Sequence, residues 1–542
     1  MKRIQRMTEW CEKAAVRFIM TLFALILSYL LFLSMFSTGD IDPKASYTGE
    51  RTYFLPDGPI LHFAVLLAVT AGNVWLLHHR DALLKFREKV SLKKVHTCIL
   101  LVALSALVLA VNVRPSADQL QVCQTALDVV RGDYSAFQRG GYLYVYPHQM
   151  GLVLLLYPLS LLFGSGNYLA FRFLNVACMI VIFWALSRIC GLLFRDEALS
   201  DFGRCLFGCF FPLTLYVHWV YGTVPGLALS LAGFYFGLRF VSEHKASQML
   251  IAAALLAVAV QLKKNYLIML VAYCVMLFLD FLKRRKALTL AAMAAAACLC
   301  VLCGKGVAFC TEQMTGVELS RGVPSAGWVA MGLHENDQRA NGWYENNDNS
   351  TIDLFRANGY DYEKTKEMQV EDIRKRLGDF RADGRYALEF FAEKTASQWN
   401  NPTFQCLWIY NVVRPGALDR TALIVSNFLQ TLILFGTVWY LVFYWEKMDL
   451  SQVLLPVCFI GGFLFHVFWE AKGQYTMPYF VLLLPLSLAG LAACARDVRD
   501  AIRQKRWKCR TLAVTAALAA IAILIAWLPT DLVDVLFKQH LL

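Results

Sequence analysis

The residues best suited to chemistry in this chain are an acid, an imidazole and a pair of lysines, each beside a hydrophobic run. Asp118 closes Pro115-Ser116-Ala117-Asp118, just after an apolar run that ends at Val113. A carboxylate there can take a proton from a hydroxyl nucleophile, general-base work worth roughly 10²–10⁴ in rate. The same four residues also read as the start of a helix over 119–130, with Asp118 as its N-cap. Asp128 and Asp133 are weaker candidates, and Asp133 follows Gly132 as a turn residue does. His148 lies in Tyr146-Pro147-His148-Gln149, at the border of the next apolar run. It suits a hydrogen bond to a phosphate or a sugar, and equally a structural one. Arg114, Arg139 and Arg172 offer planar forks that grip phosphate. Interfacial cations that snorkel out of a membrane would look the same.

Lys263 and Lys264 stand between two apolar runs, on the expected outer side, against the general bias of Lys and Arg. A charge at mid-span costs roughly 2.5–3.5 kcal/mol on insertion scales, and less at a boundary. The pair therefore suits an anionic lipid headgroup, or is a tolerated boundary charge. Glu470, Lys472, Gln474 and Tyr475 form a second polar cluster between two late runs; polar groups at a membrane edge are functional candidates, though a plain loop explains them too. Cys298, Cys300 and Cys303 are spaced like metal ligands but sit in a span rich in Ala and Leu, where Cys acts as a small hydrophobe. No metal site is expected. Asp118 with Gln119 is a poor set for a hard cation, which prefers several oxygens. No cofactor is called for, and a divalent cation stays open. The chain has no Walker loop, no dinucleotide fingerprint and no H-E-x-x-H. No stripe of basic and aromatic residues suggests nucleic acid.

The elements that must hold these residues are membrane spans. The chain has 542 residues, 58% hydrophobic and 17% charged, a composition that predicts an all-α polytopic membrane protein. The net charge of +12 falls in loops between spans, as the positive-inside rule demands. A helical span needs about 20 apolar residues. Counted so, spans fall near 15–36, 60–77, 98–113, 170–186, 205–220, 226–240, 250–261, 266–281, 287–303, 423–444, 453–469, 479–494 and 512–528, about 13 in all. The run at 152–163 is short for a crossing and is expected as a juxtamembrane or re-entrant helix. This topology makes a multi-pass plasma-membrane protein with its N-terminus cytoplasmic and its C-terminus extracytoplasmic. It puts the polar loop 114–151 outside, with its tyrosines Tyr142, Tyr144 and Tyr146. The first apolar run has full span length and no small-residue cleavage site, so a cleaved signal peptide is not expected.

Residues 304–420 are polar and expected outside as a small extracytoplasmic domain, between membrane modules at 1–303 and 421–542. Its aromatic anchors are Trp328, Trp343, Tyr344, Phe390, Phe391 and Trp399, and a helical pattern runs through 362–377. Its position suits selection of an acceptor. Asn349-Ser350-Thr351 matches a glycosylation sequon. No internal repeat of the transporter kind is evident.

The segments RPSADQ, GDYSAF, YVYPHQMG, FGSGNYLAFRF and EAKGQYTMPY together resemble the GT-C superfamily of polytopic glycosyltransferases. The nearest type is the protein O-mannosyltransferases and aminoarabinose transferases. The resemblance covers about 112–270 and 470–485. It implies the GT-C fold and transfer of a sugar, with inversion, from a polyprenyl-phosphate donor. The acceptor would be a lipid, a wall polymer or a protein on the extracytoplasmic face. By this resemblance Asp118 is the base, His148 and Lys263 lie near the donor phosphate, and Glu470 and Tyr475 belong to the late pocket motif. Arg114, Gln119, Tyr146, Gln149, Arg172, Lys264 and Gln474 complete the candidate substrate-binding set. The chain has Pro-His-Gln where such enzymes often have His-Pro-Pro, Gln474 where they often have Arg, and two extra spans before the loop acid. A non-catalytic translocator of lipid-linked sugars or polymers would use the same cations without a base. A cell-envelope scaffold or receptor would rely on 304–420 alone.

Overall fold

Apolar runs of span length become helices because a bilayer offers backbone N–H and C=O groups no partner but one another. The computed structural model describes residues 2–41, 52–336, 339–344, 351–409, 419–445 and 448–504. Ten helical stretches among them are long and apolar enough to cross a membrane, so the chain is a multi-pass, all-α membrane protein. The expected span at 512–528, the C-terminus, the basic residues from Lys505 on, and Asn349-Ser350 of the sequon lie outside the described residues.

The first membrane helices are α1 (Lys2–Phe36), α2 (Pro59–His78) and α4 (Leu92–Ala110), with the short polar α3 (Arg80–Lys89) between the last two. A feature absent from the sequence reading joins α1 to α2: strands β1 (Ser37–Ile41) and β2 (Thr52–Pro56) pair antiparallel, Ser37 opposite Pro56 and Ile41 opposite Thr52. The polar loop after α4 carries α5 (Ala117–Val130) and α6 (Tyr142–Val145). Then come α7 (Met150–Phe163) and α8 (Asn167–Phe194).

The expectation for 152–163 agrees with the structure. Asn167, just past α7, donates to the Cys123 carbonyl of α5 at 2.9 Å, and Arg172 donates to the Val113 carbonyl at 2.6 Å. Both ends of α7 therefore lie at the level of the polar loop, and α8 alone carries the chain to the other end of the bundle.

The expected span at 205–220 is not one helix. It is α9 (Glu197–Phe207), a break, α10 (Phe211–Leu215) and a 3-10 turn (Tyr216–His218). Broken backbone is tolerated at membrane depth only where protein shelters it, and here Phe210, Leu213, Tyr216, Val217 and Val220 are all buried. Asn175 of α8 takes up the freed Val217 and Trp219 carbonyls at 3.0 and 2.8 Å. The segment at 250–261 is α12 (Ala246–Leu262), an apolar helix shorter than a full span. These two, with 512–528 undescribed, account for the difference between thirteen expected spans and ten.

Helices α11 (Thr223–Glu243), α13 (Leu267–Arg284) and α14 (Ala287–Thr315) complete the first half. Val301, Leu302 and Phe309 of α14 are exposed, a side suited to lipid tails. The polar region that follows holds α15 (Ala326–Gly332), α16 (Ile352–Ala357), α17 (Tyr362–Ala382) and α18 (Gly384–Trp399). Helix α17 contains the expected 362–377 pattern and is capped by Asp361, whose side chain accepts from the Lys364 amide at 3.0 Å. Three membrane helices close the described chain: α19 (Asp419–Tyr444), α20 (Leu454–Phe468) and α21 (Gly473–Gln504). One large apolar cluster joins α1, α4, α8, α11–α13 and α19–α21.

Candidate active site

Four separate stretches meet at the loop end of this bundle: 114–151, the turn before α11, the turn between α12 and α13, and the link between α20 and α21. Asp118 starts the arrangement. The N-cap of α5 is Ser116, with extended backbone, so Asp118 lies inside the first turn and is not the cap. Its carboxylate is favoured there by the helix dipole. Ala117 beside it has φ +50°, a left-handed conformation that costs a non-glycine residue roughly 1–2 kcal/mol. Strain of this kind gathers at functional sites.

Asp118 is exposed and lies within electrostatic reach of four phenols, Tyr142, Tyr146, Tyr221 and Tyr475. Burial first, and then the Asp118 charge, push the hydroxyls of Tyr142, Tyr146 and Tyr221 well above the usual phenol range. They therefore stay protonated and able to donate.

Lys263 is the cation of the site. Its Nζ donates to Thr223 Oγ1 at 2.9 Å and sits over two rings, Tyr221 at 5.3 Å and Tyr475 at 5.1 Å. Burial pulls the amine down to about 7; Lys472 adds to this and Glu470 opposes it. Two glycines allow the approach. A side chain at Gly222 would strike the Leu262 carbonyl and Lys263, and one at Gly151 would strike Gln261. With glycine there, the starts of α11 and α7 close on the end of α12. Gln149 Nε2 then donates to the Tyr221 hydroxyl. Beneath Lys263 a small cleft opens between α13 and α21, lined by Tyr266, Met269, Tyr475, Pro478 and Tyr479 among others.

The late cluster closes the ring. Tyr475 donates to Glu470 Oε2 at 3.1 Å, and Lys472 Nζ stands 3.7 Å from Glu470 Oε1. Tyr344, from the polar region, reaches the same place, with Lys472 Nζ 6.0 Å from its ring. That region is tied to the loop by backbone: Val323 donates to the Val145 carbonyl at 3.1 Å, and Ser320 Oγ to that of Tyr144. Trp328 adds a ring 6.3 Å from Tyr146 and 6.4 Å from Trp469.

The other sequence candidates divide. His148 is half-buried, 6.0 Å from the Tyr146 ring and electrostatically next to Lys264, and it makes no hydrogen bond to the described residues. Lys264 parts from Lys263: it is exposed, and its Nζ donates to Gln261 Oε1 at 2.9 Å. Arg114 is exposed beside the loop. Gln119 acts as a latch, its Oε1 accepting from the Val220 amide at 2.8 Å. Arg172 is fully buried and donates to the carbonyls of His218 and Val113, so it secures the broken segment. Arg139 donates to the Gly359 carbonyl and covers the Tyr360 ring at 5.6 Å. The Gln474 amide bonds Gln405 Oε1 at 3.2 Å, and its side chain is half-buried.

Tyr221, Thr223 and Tyr344 are site residues that sequence reasoning passed over. Tyr221 had one sign, its place in a turn between two spans. No group of three or more His, Cys, Asp or Glu that could hold a metal ion occurs among the described residues. No protein-family model, no curated protein and no solved structure matches this chain.

Proposed function

We propose that the chain is a membrane glycosyltransferase of GT-C type, moving a sugar from a polyprenyl-phosphate donor to an acceptor hydroxyl on the extracytoplasmic face. The observation that carries this reading is the meeting of Asp118 and Lys263 across Tyr221 and Tyr475, residues far apart in the chain. A base and a phosphate cation held apart by hydrogen-bonding phenols are the parts that glycosyl transfer from a lipid phosphate requires.

In this mechanism the acceptor oxygen attacks the anomeric carbon and gives its proton to Asp118. The bond from that carbon to the phosphate oxygen breaks, and its electron pair leaves with the phosphate. Lys263 meets the charge that develops on the leaving group, electrostatic help aimed where it is needed. His148, with Lys264 near it, lies on the donor side of the same wall. The tyrosines and Trp328 supply donors and ring faces for the sugar. The cleft between α13 and α21 suits the first units of the lipid. Asp118 with Gln119 alone offers too few oxygens for a hard cation.

The test is transfer from a short-chain polyprenyl-phosphate hexose by purified protein, run beside Asp118→Asn. Loss of transfer with donor binding intact is the expected result. A translocator would carry its lipid-linked cargo equally well with either residue, and transfer unchanged by the substitution would remove Asp118 from the chemistry.

A further inference from the structure

Lys394 is a buried charge that the transfer steps leave unused. It lies on α18 and is 1% exposed. An ammonium group taken out of water is costly unless it is bonded and paired. Its Nζ donates to the Gly332 carbonyl at the end of α15. The Gly342 turn encloses its stem, since a Cβ there would meet Lys394 Cε at 2.7 Å. A carboxylate within electrostatic reach of it is Glu470, 4% exposed and outside the polar region altogether. Gly332 packs directly on the backbone of Trp469, so the end of α15 and the Glu470 link are one contact. The Ala471 amide donates to the Gly342 carbonyl at 2.8 Å and secures it further.

We propose that Lys394 is a positioning residue, which holds the Glu470 carboxylate in place against Tyr475 so that Tyr475 and Lys263 keep the placement a donor phosphate needs. This deepens the transferase reading and rests on it for the role of Lys263. Glu470 is faced by the cations Lys263, Lys394 and Lys472. Its other neighbours are phenols: Tyr146, Tyr221, Tyr344 and Tyr475. His466 lies beside it through a backbone hydrogen bond. Among the cations, Lys472 stands at 3.7 Å with a partly exposed side chain, and Lys263 is engaged with Thr223. Lys394 is the fully enclosed one, where a charge acts most strongly. Burial draws its amine down to about 7, and the Glu470 charge opposes this.

The experiment reads the amine of Lys263 directly. Purified full chain is labelled across pH with an amine-acylating reagent, and Lys263 modification is followed by mass spectrometry. Wild type is compared with Lys394→Met, Glu470→Gln and the double variant. Without Lys394 the carboxylate is no longer held at Tyr475, and Lys263 loses its support. The labelling midpoint of Lys263 should then fall by about one pH unit in each single variant, and no further in the double. Lys394→Arg keeps the charge and should keep the wild-type midpoint, which answers any loss of folding in Lys394→Met. An unchanged midpoint in Lys394→Met beside a lowered one in Glu470→Gln would reduce Lys394 to packing. Shifts that add in the double variant, or no shift in Glu470→Gln, would equally overturn the proposal. The labelling needs no substrate, so it stands even if wild-type protein transfers no sugar.

Discussion

The two ends of the bundle use their cations in opposite ways. At the end away from the polar loop, basic residues pair with acids, for the most part at the surface. Arg87 bonds Asp201 at 2.8 Å and Glu197 at 3.1 Å, Lys93 meets Asp201 at 2.8 Å, and Arg195 meets Asp449 at 3.1 Å. Arg239 and Lys245 share Glu243, each at 2.8 Å. At the loop end two lysines of the site are enclosed, although others, Lys264 among them, are exposed. Lys263 and Lys394 are each pulled down to about 7, and both answer to the single carboxylate Glu470. Exposed, paired cations of the first kind fix which way a chain lies in a membrane. Enclosed cations with a spare proton near neutrality are poised for an anion.

The largest expected effect separates chemistry from this electrostatic frame. Asp118→Asn should lower transfer by roughly 10²–10⁴, with the donor affinity near wild type. Next is the pH dependence of donor binding. A lysinium binds a phosphodiester and a neutral amine does not, so the affinity should be full below about pH 7 and fall as pH rises through it. The limit is about tenfold per pH unit, until the pKa of Lys263 in the complex is reached. Lys263→Arg should bind with a flat profile over pH 6–9, because a guanidinium stays charged, and a profile still falling at pH 7 would assign the titration elsewhere.

Arg172→Met should act on the fold instead. Loss of its bonds to the Val113 and His218 carbonyls should cost on the order of 3 kcal/mol, seen as a lower thermal midpoint in detergent. A weaker donor affinity at unchanged stability would return Arg172 to the binding set. The smallest effect belongs to the far end. Arg195→Ala removes an exposed pair, worth about 0–1 kcal/mol at most, and should leave both stability and transfer in place.

The contrast also explains what the sequence could and could not disclose. Charges at the far end follow a rule counted along the chain, so the span near 60–77 was readable within a residue of α2, and those near 15–36 and 287–303 share one end with α1 and α14, which run on well beyond at the other. The run at 152–163 was readable because its length alone forbids a crossing. Segment 205–220 was not, since its hydrophobicity is that of a span while its break is paid for by Asn175 and Arg172 from another helix. Asp118 and Lys263 stood out as polar residues beside spans, Lys263 in a place where the charge bias runs against it. Lys264 shared that sign and yet turns to Gln261, because one position along a turn reverses direction and no pattern in the sequence reports it. Arg172 and Gln119 had the right chemistry for a ligand, but tertiary packing commits them to backbone. Lys394 was hidden among the charges of a polar region, and only folding places it beside Glu470.

The central claim is that one chamber divides its work, Asp118 serving the reaction and Lys263 the donor. The most direct measurement is donor affinity and single-turnover transfer, side by side, for wild type, Asp118→Asn and Lys263→Met. The account predicts that Asp118→Asn binds donor and does not transfer, and that Lys263→Met binds donor at least tenfold more weakly. Equal losses of binding and transfer in both variants, or a loss in neither, would contradict it.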